Sequence, residues 1–155
     1  MKFLALLMLL STTAFAQNLM KERIWKLSPR KRSIFLDKGV FHAVTGQSGG
    51  QVVGVRNSFV KSRGYERIVI DFNTQKIPNV YGHIAQKENK VYLDFFNSQL
   101  GKTLNPLQNT KYVDNVDFFG IDGSNLSVEL RLKSASSYDI FYLENPGRLV
   151  IDIKK

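Results

Sequence analysis

Two short segments each carry an Arg and an Asp four positions apart: Arg67-Ile-Val-Ile-Asp71 and Arg148-Leu-Val-Ile-Asp152. A third, Lys90-Val-Tyr-Leu-Asp94, has the same layout with a Lys at its head and Tyr92 at its centre. In an extended chain, residues four apart stand on the same face, roughly 13 Å from each other. That separation is too long for pairing within one strand. The charged ends are therefore available to a neighbouring strand, or to a ligand that offers carboxylates and hydroxyls for charge-assisted hydrogen bonds.

Other chemistries are short of parts. The 155-residue chain has no cysteine, which removes disulfides, thiolate nucleophiles and Cys-ligated metal centres together. Its two histidines, His42 and His83, have no partner at metal-site spacing, and His83 reads as an ordinary sheet residue. Gly46-Gln-Ser48-Gly-Gly50 fits the G-x-S-x-G elbow of serine hydrolases. That elbow needs a helix after it, whereas Gln51–Val55 reads as strand, so a Gly/Ser loop is the better assignment. Asp114, Asp117 and Asp122 lack the spacing of a calcium loop. The expectation is a non-enzymatic protein with no cofactor and no metal.

The elements that must hold the three segments follow from the pattern along the chain. Met1-Lys2, an apolar run from Phe3 to Leu10 and Ala14-Phe-Ala16 read as a signal peptide over 1–16, cut near Ala16. The run is too short to span a membrane core as a helix. This predicts a periplasmic or secreted protein. Residues 17–50 form a basic arm and a Gly/Ser-containing lead-in. Within 17–38 there are seven basic residues against two acids, and Met20, Ile24 and Leu27 fall on one helical stripe beside Trp25. Such an arm suits an anionic envelope surface. Export makes nucleic acid a poor partner.

From 51 to 155 the alternation has period two. Arg67–Phe72, Asn89–Phe95, Leu126–Leu132, Tyr138–Leu143 and Arg148–Ile153 read as strands separated by Gly, Pro and Asn breaks. The stretch 97–112 is ambiguous, with room for a short helix. The fold class expected is all-β: a compact β-sandwich with a short basic N-terminal arm. The strands also repeat. Shifted by 58 positions, Ile68, Ile70 and Phe72 land on Leu126, Val128 and Leu130, and Lys90–Phe95 lands on Arg148–Ile153. An internal duplication is inferred. Alternation sends Ile68, Ile70, Phe72, Val91, Leu93 and Phe95, with their repeats, to the core. Val69 and Val150 go to the opposite face with the charged residues.

The segments Arg67–Phe72 and Leu143-Glu-Asn-Pro-Gly-Arg-Leu-Val-Ile-Asp-Ile153 resemble the AMIN domain family. Those domains precede the catalytic unit of periplasmic N-acetylmuramoyl-L-alanine amidases and occur in type IV pilus secretins. Their pattern pairs an R-h-h-h-D-h strand (h, hydrophobic) with an L-x-N-P-x-R-h-V-h-D-h segment. The latter is met here at Leu143, Asn145, Pro146, Arg148, Val150 and Asp152. The resemblance covers about residues 51–155 and implies a β-sandwich that binds peptidoglycan and localises its carrier. It does not imply amidase activity. The candidate ligand-binding residues are Arg67, Asp71, Lys90, Tyr92, Arg148 and Asp152. The bases would meet the free carboxylates of muropeptide stems, and Tyr92 would offer its ring to a sugar. The other reading is a protein-interaction module docking onto an envelope machine through an exposed strand edge.

Overall fold

The computed structural model describes residues 31–34, 39–101 and 104–155. The expected signal peptide and the arm up to Arg30 lie outside the described residues.

The described residues form β1 (Lys31–Ser33), β2 (Val40–Ala43), β3 (Gly50–Val60), β4 (Tyr65–Phe72), β5 (Val80–Ala85), β6 (Lys90–Phe95), β7 (Ser98–Leu100), β8 (Val113–Ile121), β9 (Asn125–Leu132), β10 (Ser137–Leu143) and β11 (Arg148–Lys154). The fold is all-β, as the alternation predicts. The first sheet runs β1-β10-β11-β4-β3-β7 and the second β2-β5-β6-β9-β8. Their inner faces pack together, with Ile68 and Ile70 from one and Val91 and Leu93 from the other in one core. The described part of 97–112 holds the short strand β7 and no helix. The segment 31–50, read from sequence as lead-in, supplies β1 and β2 at the outer edges of the two sheets.

The chain runs through the same four-strand order twice. The β3–β4 hairpin lies in the first sheet and the β5–β6 hairpin in the second. The β8–β9 and β10–β11 hairpins repeat this with the sheets exchanged. Even the irregularity recurs. A bulge falls between Val52 and Gly54 on β3, and another between Val113 and Asn115 on β8.

Strand pairing corrects the alignment read from sequence. On β4, Ile68 lies opposite Ile151; on β9, Val128 lies opposite Leu93, the residue equivalent to Ile151. Ile68 therefore corresponds to Val128 rather than Leu126, and Asp71 to Arg131 rather than Glu129. A slip of two residues keeps every side chain on its own face, so alternation could not reveal it.

Every residue assigned to the core is buried, but the opposite face of the first sheet is not simply solvated. Val69, Val150 and Phe141 form a second buried apolar cluster there, with Val150 only 1% exposed. The Arg67 guanidinium lies over the same face, 5.2 Å from the Tyr65 ring centre and 5.4 Å from that of Phe141. Long cationic side chains cover apolar surface in this way while keeping the charge near water.

One glycine is fixed by packing. A Cβ on Gly82 of β5 would stand 2.3 Å from Phe41 Cζ and 2.7 Å from the Tyr92 carbonyl oxygen. Phe41, buried on β2, occupies the space above it. Gly82→Ala should therefore destabilise the fold by about 1–3 kcal/mol, the usual cost of overpacking. The measurement is a urea midpoint, expected to fall with an unchanged slope.

Candidate functional site

The six residues singled out from sequence divide between the two sheets. Arg67 and Asp71 on β4 and Arg148 and Asp152 on β11 share the outer face of the first sheet. Lys90 and Tyr92 stand on β6, on the outer face of the second.

On the first sheet the two Arg…Asp segments run antiparallel and cross. Arg67 is opposite Asp152, and Asp71 is opposite Arg148. The first pair is closed. Arg67 Nε and a terminal guanidinium nitrogen donate to the two Asp152 oxygens, each at 2.7 Å. The Asp152 side chain is only 8% exposed. This hydrogen bond holds the Arg67 pKa above its ordinary value against a smaller opposing effect of burial.

The second pair is not made in the same way. Asp71 accepts two bonds from Arg56 of β3, at 2.8 and 3.0 Å, and the Arg56 pKa rises with them. Arg148 Nε donates to the Pro146 carbonyl at 3.3 Å. Among the described residues no carboxylate holds the Arg148 guanidinium. Sequence reading missed Arg56 because it ended the strand at Val55. The polar run Arg56-Asn57-Ser58 broke the hydrophobic signal, although β3 continues to Val60.

On the second sheet the outer face is a linked set of polar and aromatic groups. Lys90 Nζ is 3.0 Å from Glu129, which also accepts from Arg131 at 3.0 Å. Both contacts lower the Glu129 pKa, and the bond to Glu129 raises that of Lys90. Tyr92 donates to Glu88 at 3.0 Å and stacks on His83, ring centres 4.8 Å apart and 21° from parallel. Desolvation first, then the bond to Glu88, pushes the Tyr92 phenol up. Tyr81, on the same face, is 41% exposed. Asp94 accepts from Ser127. By the corrected alignment this is the position that Arg67 and Asp152 hold on the other sheet. The two faces are thus equivalent in backbone but not in chemistry.

Glu66 was not anticipated. It is fully buried, and its carboxylate accepts backbone N–H bonds from Lys111 at 3.1 Å, Tyr112 at 2.5 Å and Val113 at 3.1 Å, and a side-chain bond from Asn57 at 3.2 Å. Lys111 corresponds to Gly50, whose N–H donates to the Asn97 carbonyl at 3.3 Å beside β7. In the second half of the chain, a side chain does what β7 does in the first. No sequence signal marks it, because its partners are backbone groups of a distant loop.

Gly46–Gly49 forms a loop, as expected, and Gly50 already belongs to β3. Ser48 is exposed and the chain passes directly into β3, not a helix. The loop is anchored through Thr45, whose hydroxyl donates to the Ile77 carbonyl at 2.6 Å. No protein-family model matches the chain, and no curated protein matches it either.

Proposed function

We propose that this protein is a non-catalytic, exported module of the AMIN kind that binds peptidoglycan and localises itself in the cell envelope. The observation that carries the reading is the asymmetry of the crossed pairs. Arg67, Asp71 and Asp152 are each held by a salt-bridge partner, while the Arg148 guanidinium is held by no carboxylate among the described residues. It is thus available for the carboxylates of a muropeptide stem. The Tyr92–His83 stack on the opposite sheet supplies a flat surface of the type that sugar rings pack on. The twice-used strand order, bulge included, supports descent by internal duplication.

Pull-down of the mature protein with purified sacculi tests this. Retention should exceed that of a sacculus-free control at physiological salt. Arg148→Ala should cut it several-fold, with an unchanged thermal midpoint. Equal recovery with and without sacculi would overturn the proposal.

One feature favours a second reading, a protein-docking module. β8 ends the second sheet, and Phe119 and Ile121 on it are 51% and 41% exposed. An open, partly apolar edge of this length is a template for strand addition. A stoichiometric partner that survives muramidase treatment would favour it.

A further inference from the structure

One end of the fold carries a cleft of about 430 Å³ whose lining contains no charged residue. Side-chain amides dominate it: Gln51 at the start of β3, Asn73 after β4, and Asn97 and Gln99 around the start of β7, with Gly50 and Gly123 between them. Gly49 lets these segments meet. It has φ +90°, and a Cβ there would stand 2.0 Å from the Asn97 carbonyl oxygen.

Two of the four side-chain amides are held by backbone groups. Asn73 Oδ1 accepts from the Gln51 N–H at 2.8 Å, and Gln99 Nε2 donates to the Gly123 carbonyl at 3.1 Å. The Asn97 N–H is fixed by Asn125 Oδ1 at 3.0 Å, and φ of +51° holds Asn97 in the left-handed region. Donors and acceptors remain after these bonds. Among the described residues, the Asn97 amide, Gln51 Nε2 and Gln99 Oε1 have no protein partner. Gln99, already held through its Nε2, loses little conformational entropy when a ligand arrives.

The equivalent positions in the second half show that the backbone does not demand amides here. By the corrected alignment Asn73 corresponds to Lys133, and Asn97 to Lys155. Charge is used at one end of the fold and withheld at the other.

We propose that this cleft binds an uncharged acetamido sugar. A primary amide offers a donor and an acceptor side by side, matching vicinal hydroxyls and the acetamido N–H and C=O. The absence of charge selects against the ionised parts of a wall polymer. This deepens the peptidoglycan reading by giving the glycan its own place, apart from the sheet face where Arg148 would meet a stem carboxylate.

The test is a titration of the mature, 15N-labelled protein with triacetylchitotriose, followed by NMR. Shifts should concentrate on the side-chain amides of Gln51, Asn73, Asn97 and Gln99 and on the backbone of Gly50 and Gly123. Asn97→Asp, which keeps size and tolerates the left-handed backbone, should weaken binding roughly tenfold, as expected for the loss of one good hydrogen bond. Its unchanged spectrum elsewhere will show that it folds. Arg148→Ala should bind the triose like wild type. Wild-type protein that binds the triose but is recovered equally with and without sacculi would overturn the peptidoglycan reading, whereas retention on sacculi without triose shifts would overturn this one. No shifts at millimolar sugar, shifts centred on either sheet face, or an equal response to maltotriose would each overturn the proposal.

Discussion

Glu66→Ala is expected to cost about 3–5 kcal/mol, because each buried donor left without a partner costs about 1–3 kcal/mol and this change strands several at once. The fully buried carboxylate gathers three consecutive N–H groups, from Lys111 to Val113. These donors enter β8, so their loss reaches the second sheet as well as the first. A loss of that size is on the order of a 10–20 °C drop in thermal midpoint for a domain of this length. Glu66→Gln should recover only part of it, since its NH2 group must face donors where an oxygen stood. Calorimetry gives the midpoint, and hydrogen exchange at residues 111–113 should accelerate first. A variant that melts with wild type would show that the carboxylate is dispensable.

Arg67→Ala should cost about 2–4 kcal/mol, somewhat less than the ~3–5 kcal/mol for a fully buried ion pair because the Arg67 side chain is 34% exposed. Asp152 is then left desolvated beside Asp139, its cross-strand neighbour on β10. The Arg67 stem also leaves the Tyr65 and Phe141 rings. Arg67→Ala/Asp152→Ala should be less destabilised than the sum of the single variants, with a coupling above about 1 kcal/mol in a denaturation cycle. Additive losses would refute the pairing. Arg67 and Arg148, both candidate ligand-binding residues from sequence, thus divide in what their replacement reports. Arg148 serves as a probe of binding, while Arg67 reports mainly on folding.

The strand pattern was readable because one face of each strand meets the other sheet. Leu126-Ser-Val-Glu-Leu-Arg-Leu132 alternates without fault, and its apolar members are all buried. The repeat was readable for the same reason, and its register was not. A slip of two leaves the period-two pattern intact, and only the partner strand fixes it. Both crossing segments were found from their charged residues. Which charges close on one another was hidden, because it depends on Arg56, a residue past the end of the hydrophobic signal. Glu66 and the amide cleft had no pattern at all. Their partners come from loops and strand ends brought together from distant parts of the sequence.

The crossing of the two halves governs the order in which this chain can close. β4 lies between β3 and β11, and β6 lies between β5 and β9. When β3 to β6 have been made, β4 and β6 each still lack the neighbouring strand that comes from the second half of the chain. Closure waits for strands far along the chain, as the 85-residue separation of Arg67 and Asp152 records. Such distant pairings are slow to form, because the loop entropy is lost before any contact is gained. A chain that cannot shut until its last strand is made remains threadable until then. That property slows folding in place and would serve the export proposed above, in which an extended chain passes through a narrow pore.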